Sequence, residues 1–145
     1  MNIQEIENYL DSKGCELHGC SAREIAKIEE FFNVKLPLYY REFLSSMGKE
    51  AGKFMRGSSV FYSEIFDLRD GSIRLLNDDN FKPLPVNAFV FWMHQGYQFA
   101  FFYWDEGDNP PVYYYLEGEH YEDFEKKENS FTDFLEKQLI MSGLR

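Results

Sequence analysis

The sequence predicts an α+β domain in which a mostly antiparallel sheet is packed by N-terminal helices and by one C-terminal helix. Three observations predict it. Apolar residues recur at helical spacing near both ends of the chain, each run behind a capping signal. Between residues 86 and 116 the period shortens to two, with aromatics at about every second position. No linker, internal repeat or low-complexity tract divides the 145 residues, so 1–145 reads as a single domain.

The elements follow in order. Asn2 and Glu5 form a capping pair, and Ile3, Ile6 and Leu10 then share one face up to a stop at Gly14. Ser21 and Glu24 form a clearer box, S-x-x-E. Ile25, Ile28 and Phe32 follow on one face, with Asn33 as a left-handed stop. Pro37 suits a first helical position, where a missing N–H costs nothing. Tyr40, Phe43, Leu44 and Met47 make the next stripe, which Gly48 ends. From Lys49 the segment KEAGKFMRGSS is polar and reads as a loop. Val60 to Leu68 holds β-forming residues, and IRLLNDDN reads as a short helical turn or irregular chain. Ser130 and Asp133 cap a last helix carrying Phe131, Phe134, Leu135 and Leu139.

The stretch FVFWMHQGYQFAFFYWDEGDNPPVYYYL, from Phe89 to Leu116, reads as strand, turn, strand, loop, strand. A two-residue turn at Gln95-Gly96 pairs His94 with Tyr97, Trp92 with Phe99, Val90 with Phe101 and Ala88 with Tyr103. Those eight side chains then share one face; Phe89, Phe91 and Met93 join Gln98, Ala100, Phe102 and Trp104 on the other. Both faces are apolar, so the sheet is either covered twice or keeps one side for a partner.

Composition narrows the function. Fifteen basic against 25 acidic residues give a formal charge of −10, which repels phosphate backbones and attracts basic partners. No apolar run reaches the roughly 20 residues that span a bilayer. The N-terminus, MNIQEIENYL, has neither a basic nor an apolar targeting region, so a cytoplasmic location is expected, and two cysteines suit a reducing compartment. Fifteen Phe, ten Tyr and two Trp supply rings for a core or for an interface.

No constellation calls for catalysis, a metal or a cofactor. His94 falls beside a turn, with no partner implied by spacing to orient it. CELHGC brings Cys15, His18 and Cys20 within six residues, but a zinc site needs a second ligand pair, and only His94 and His120 remain. Asp78, Asp79, Asp105, Glu106 and Asp108 fail the calcium-loop spacing and read as solvated loop acids. There is no phosphate loop and no G-x-S-x-G elbow. Tyr113 and Tyr115 fall on one side of their strand and Tyr114 on the other, as sheet packing or as a partner-binding face.

The order of these motifs resembles the SUKH superfamily of Smi/Knr-type domains. IEEFFNVKLPLYYREFLSSMG is similar to that family's opening signature, carried by Phe32, Leu36-Pro37, Tyr40, Phe43 and Leu44. WMHQGYQFAFFYWDEGDNPPVYYYLEG resembles its central hairpin, Pro-Pro-Val loop and next strand, and SFTDFLEKQL its closing helix. The resemblance spans roughly Ser21 to Leu144. Many relatives have Gly-Gly or Asn-Gly after the third helix, whereas this chain has Met47-Gly48 and a charged loop.

The superfamily includes the fungal regulator of cell-wall glucan synthesis and many bacterial immunity proteins. The resemblance therefore implies a non-catalytic domain that binds a cognate toxin, often a basic nuclease, or a regulatory scaffold for glucan synthesis. A small hydrolase or carbohydrate binder using the loop acids is the alternative from another class. The expected partner surface comprises Trp104, Asp105, Glu106 and Asp108 with Tyr113 and Tyr115.

Overall fold

A computed structural model describes residues 1–118 and 122–145 of the protein. The capping signals act where the sequence places them. Asn2 and Glu5 close a reciprocal box on α1 (Ile3–Ser12), which buries Ile3, Ile6 and Leu10. After β1 (Leu17–His18), Ser21 and Glu24 do the same for α2 (Ala22–Phe32), which ends on left-handed Asn33 at φ 52°. Pro37 stands just outside α3 (Leu38–Met47), whose stripe of Tyr40, Phe43, Leu44 and Met47 is fully buried.

The middle of the chain departs from expectation. The segment from Lys49 is not all loop. It contains β2 (Glu50–Ala51), which pairs with β1, and β3 (Ser58–Ser59), which joins the main sheet. Val60 to Leu68 forms the short α4 (Tyr62–Ile65) rather than extended chain. The supposed turn at IRLLNDDN belongs to a full helix, α5 (Leu68–Asp78), burying Leu68, Ser72, Leu75 and Leu76. Gly71 and Ser72 hide the apolar period of this helix, yet they let it lie close to the sheet, where the Met93 thioether faces Gly71.

The sheet has the order β3-β4-β5-β6-β7 and is antiparallel throughout, with β4 (Ala88–His94), β5 (Gln98–Tyr103), β6 (Val112–Leu116) and β7 (Glu125–Glu128). β7, Glu-Lys-Lys-Glu, carries no hydrophobic pattern because it is an edge strand, where charge discourages pairing with other chains. The chain closes with α6 (Phe131–Met141), capped by Ser130.

The expected hairpin register holds at its base and fails at its tip. Ala88 pairs with Tyr103 and Val90 with Phe101, but then Trp92 pairs with Ala100, Met93 with Phe99 and His94 with Gln98. The register shifts between Val90 and Trp92, and Gln95, Gly96 and Tyr97 make a three-residue turn with Gln95 and Gly96 at positive φ. An extra residue in one strand reverses the alternation beyond it. Trp92 and His94 thereby leave the face assigned to them and join Phe91.

Both faces of the sheet are covered. On one, Phe89, Phe91, Phe102 and Trp92 meet Tyr40, Phe131 and Phe134 of α3 and α6 in edge-to-face and tilted contacts at 5.0–6.1 Å. On the other, α5 covers Met93, while Phe81 and Phe124 lie over Tyr115 and Phe101 at 4.8 and 5.1 Å. Two apolar faces therefore mean a sheet sandwiched between layers, and only its margin remains for a partner.

Candidate functional site

That margin is the end of the sheet opposite the hairpin tip, where the chain leaves β5 and crosses to β6. The crossing loop is stapled on three sides. The Asn87 carbonyl accepts the Trp104 N–H at 3.3 Å, and the Asn87 amide donates to Asp105 Oδ1 at 3.0 Å. The Asp108 carbonyl accepts the Tyr39 N–H at 3.0 Å. This bond satisfies a first-turn donor of α3 that Pro37 has no side chain to cap. Asn109 and Thr132 bond reciprocally at 2.9 and 3.1 Å, tying the loop to the start of α6. A loop so held presents its side chains at little entropic cost on binding.

Of the residues expected at a partner surface, four lie on this loop, and Tyr113 meets it at Glu106 from beside Tyr103. Asp105, Glu106 and Asp108 are exposed, and Trp104 and Tyr113 are half-buried. The Tyr113 hydroxyl points to Glu106 at 3.5 Å, and its ring meets Tyr103 at 5.0 Å. Burial first, then the neighbouring carboxylates, push both phenols above their ordinary range: Glu106 for Tyr113, and Asp123, Glu106 and Asp105 for Tyr103. The field at this margin is therefore negative, and it favours a cationic group over an anionic one.

Tyr115 is the correction. It shares a face with Tyr113, but the chain after α5 folds over that half of the sheet and leaves it 2% exposed. Its ring packs on Phe81 and Phe99, and its hydroxyl donates to Asp79 at the end of α5. Alternation fixes a face but not what covers it, so Tyr115 is an interior residue.

Two residues at this margin were not anticipated. Phe31 is 62% exposed and packs only its inner side on Phe32 and Phe66, and Val86 is 85% exposed. Together with Trp104 they line a small hollow of about 230 Å³ next to the acidic loop. A second, shallower hollow of about 560 Å³ runs from Trp104 and Asp105 past Leu36 and Pro37 to Arg41. The signal for Phe31 lay in the Phe31-Phe32 pair, because only Phe32 falls on the stripe of Ile25 and Ile28. Val86, isolated between a proline and an asparagine, had no such signal.

The remaining constellations separate in space. The thiols of Cys15 and Cys20 are free and buried, whereas the His18 side chain is half exposed beside Glu16 and Glu50. Among the described residues no group of three or more His, Cys, Asp or Glu converges as a metal site, and His120 lies outside them. Burial, then the Glu24 charge, raises the Cys20 thiol to about 11, so it is a packing residue rather than a nucleophile. Gly19 supplies the reason for the motif. A Cβ there would collide with the Ser45 carbonyl, and the neighbouring Cys20 N–H bonds Leu44 O at 2.7 Å. Asp79 is engaged by Tyr115. Among the described residues no helix is long and apolar enough to cross a membrane.

No curated protein matches the chain. A family match does cover it from just after β1 into α6, which includes every element that builds the stapled loop. Residues 19–137, well over half of the chain, match the SMI1 / KNR4 family (SUKH-1), and the chain belongs to that family.

Proposed function

We propose that this domain is an immunity protein: a non-catalytic binder, working in the cytoplasm, that neutralises a cognate toxin by covering it. The observation that carries the reading is the stapled loop from Trp104 to Asp108. It presents three solvated carboxylates beside half-buried Trp104, with Phe31 and Val86 exposed at its flank. Aromatic anchors ringed by charge on a rigid frame are what contact energies at protein interfaces favour. With a formal charge of −10 the chain attracts basic proteins over long range, and a nuclease that grips phosphate is such a protein. The same charge keeps the domain itself off nucleic acid.

The test is affinity purification of the tagged chain from its own cells, followed by co-expression with the protein recovered. A secreted toxin encoded beside it, whose lethality the chain abolishes, is the expected result. Recovery of enzymes of wall polysaccharide synthesis alone would replace toxin neutralisation with a scaffold role. Turnover of a glycan that is lost when Asp105, Glu106 and Asp108 become alanine would replace binding with catalysis.

A further inference from the structure

At the other end of the sheet lies a cleft of about 600 Å³, between the tip of the β4–β5 hairpin, the turn joining β2 to β3, and the last turn of α6. Its volume is that of a small-molecule site. Its charge is opposite to that of the chain. Lys53, Arg56 and Lys137 line it, and no carboxylate does, although the chain has 25 acids against 15 bases. Among the described residues Lys53 and Arg56 make no ion pair, while Lys137 reaches Glu128 at 3.2 Å and lies over the Tyr114 ring at 5.8 Å. The carbonyls ending α6 are capped by the N–H groups of Ser142, Gly143 and Leu144, so they do not offset these cations.

Beneath the cations Trp92, Met55, Tyr114 and Met141 form an apolar patch among Ser58, His94, Gln98 and Gln138, and the lining is preorganised. Trp92 is 4% exposed, and its indole N–H has no acceptor among the described residues. A buried donor without a partner is costly unless something accepts from it. The Trp92 ring stacks on His94 at 5.9 Å and 7°, and the Ser58 hydroxyl bonds His94 Nδ1 at 3.1 Å, which fixes the imidazole. Met55 holds a left-handed backbone at φ 55°, its N–H bonded to Ser142 Oγ at 3.1 Å. Such a conformation in a side-chain-bearing residue is kept where surrounding contacts impose it.

We propose that this cleft binds a small organic anion, a carboxylate or phosphate ester carrying a flat apolar group. Lys53, Arg56 and Lys137 hold the charge, and the apolar group packs toward Trp92, Met55 and Tyr114. The margin at Trp104 is separate from it, at the far end of strands of six and seven residues.

The chain has two tryptophans, so the two indole N–H resonances report the two ends of the molecule independently. The protein is titrated with phenyl phosphate, benzoate and inorganic phosphate while both resonances are followed by NMR. The expected result is a saturable shift of Trp92 with phenyl phosphate or benzoate, no shift of Trp104, and at least tenfold weaker binding of inorganic phosphate. Preference for phenyl phosphate identifies a phosphate ester as the ligand, and preference for benzoate identifies a carboxylate. K53E/R56E, which alters surface cations only, is expected to weaken binding at least tenfold. The proposal is overturned if Trp92 does not move, if both tryptophans move alike, if inorganic phosphate binds as well as phenyl phosphate, or if K53E/R56E binds like the parent.

Discussion

Replacing Gly19 by alanine sets a Cβ against the Ser45 carbonyl, 2.6 Å from its carbon and 3.2 Å from the carbonyl carbon of Ser46. Both neighbours are backbone of α3 and cannot rotate away. Ordinary carbon contacts need about 3.5 Å or more, so the segment carrying Gly19 must retreat by about 1 Å. That movement stretches the Cys20 N–H bond to Leu44 O, now 2.7 Å, beyond hydrogen-bonding range. The lost buried bond costs about 1–3 kcal/mol and the overpacking a similar amount, so G19A should lose about 2–6 kcal/mol. For a domain of this size that lowers Tm by roughly 5–20 °C. Gly71 provides the contrast. Inside α5, an added Cβ would meet the Met93 methyl at 3.5 Å, an ordinary contact, and glycine is a poor helix residue. G71A should therefore gain about 0.5–1 kcal/mol. Thermal and urea unfolding of the two variants checks both signs. A G19A variant within about 1 kcal/mol of the parent, or a destabilised G71A, would show that the close approaches at these two glycines are not those described.

Two further outcomes concern titration. Burial raises the phenols of Tyr40, Tyr114 and Tyr115, so the native state holds protons that the unfolded chain releases above its ordinary tyrosine range. Stability should be unaffected by these groups below pH ~10 and fall progressively above it. In an absorbance titration they should ionise only as the protein unfolds, and a reversible titration of all ten tyrosines near pH 10 would contradict their burial. With its thiol raised to about 11, Cys20 carries roughly one part in a thousand of thiolate at pH 8. Iodoacetamide should then modify it about a hundredfold more slowly in the native than in the urea-unfolded protein, and equal rates by mass spectrometry would exclude that environment.

How much of this was legible depended on whether local chemistry or distant cover decided the outcome. Asn2, Ser21 and Ser130 cap helices through their own neighbours, so those elements could be placed from residue types alone. The alternation around Val90 and Ala88 likewise fixed the base of the hairpin. The shift before Trp92 could not be read, because a bulge is a count of one residue against a partner strand. Helix α5 was obscured by Gly71 and Ser72, which interrupt its apolar period although the helix buries Ser72 and turns Gly71 toward Met93. At the margin, Trp104, Asp105, Glu106 and Asp108 are neighbours because they share one short loop, whereas Tyr113 packs with Tyr103 and meets the loop only at Glu106. Tyr115 was lost to a segment some thirty residues away in sequence, whose Phe81 covers it.

The central claim, that the stapled acidic loop is the contact surface, is tested most directly by association kinetics with the protein recovered in purification. The parent is compared with D105K/E106K/D108K, which keeps the backbone staples at Asp108 and Trp104, at low and at high salt. The account predicts an association rate that falls tenfold or more at low salt in the variant, with a flattened salt dependence. An unchanged rate and an unchanged salt dependence would place the contact surface elsewhere on the molecule.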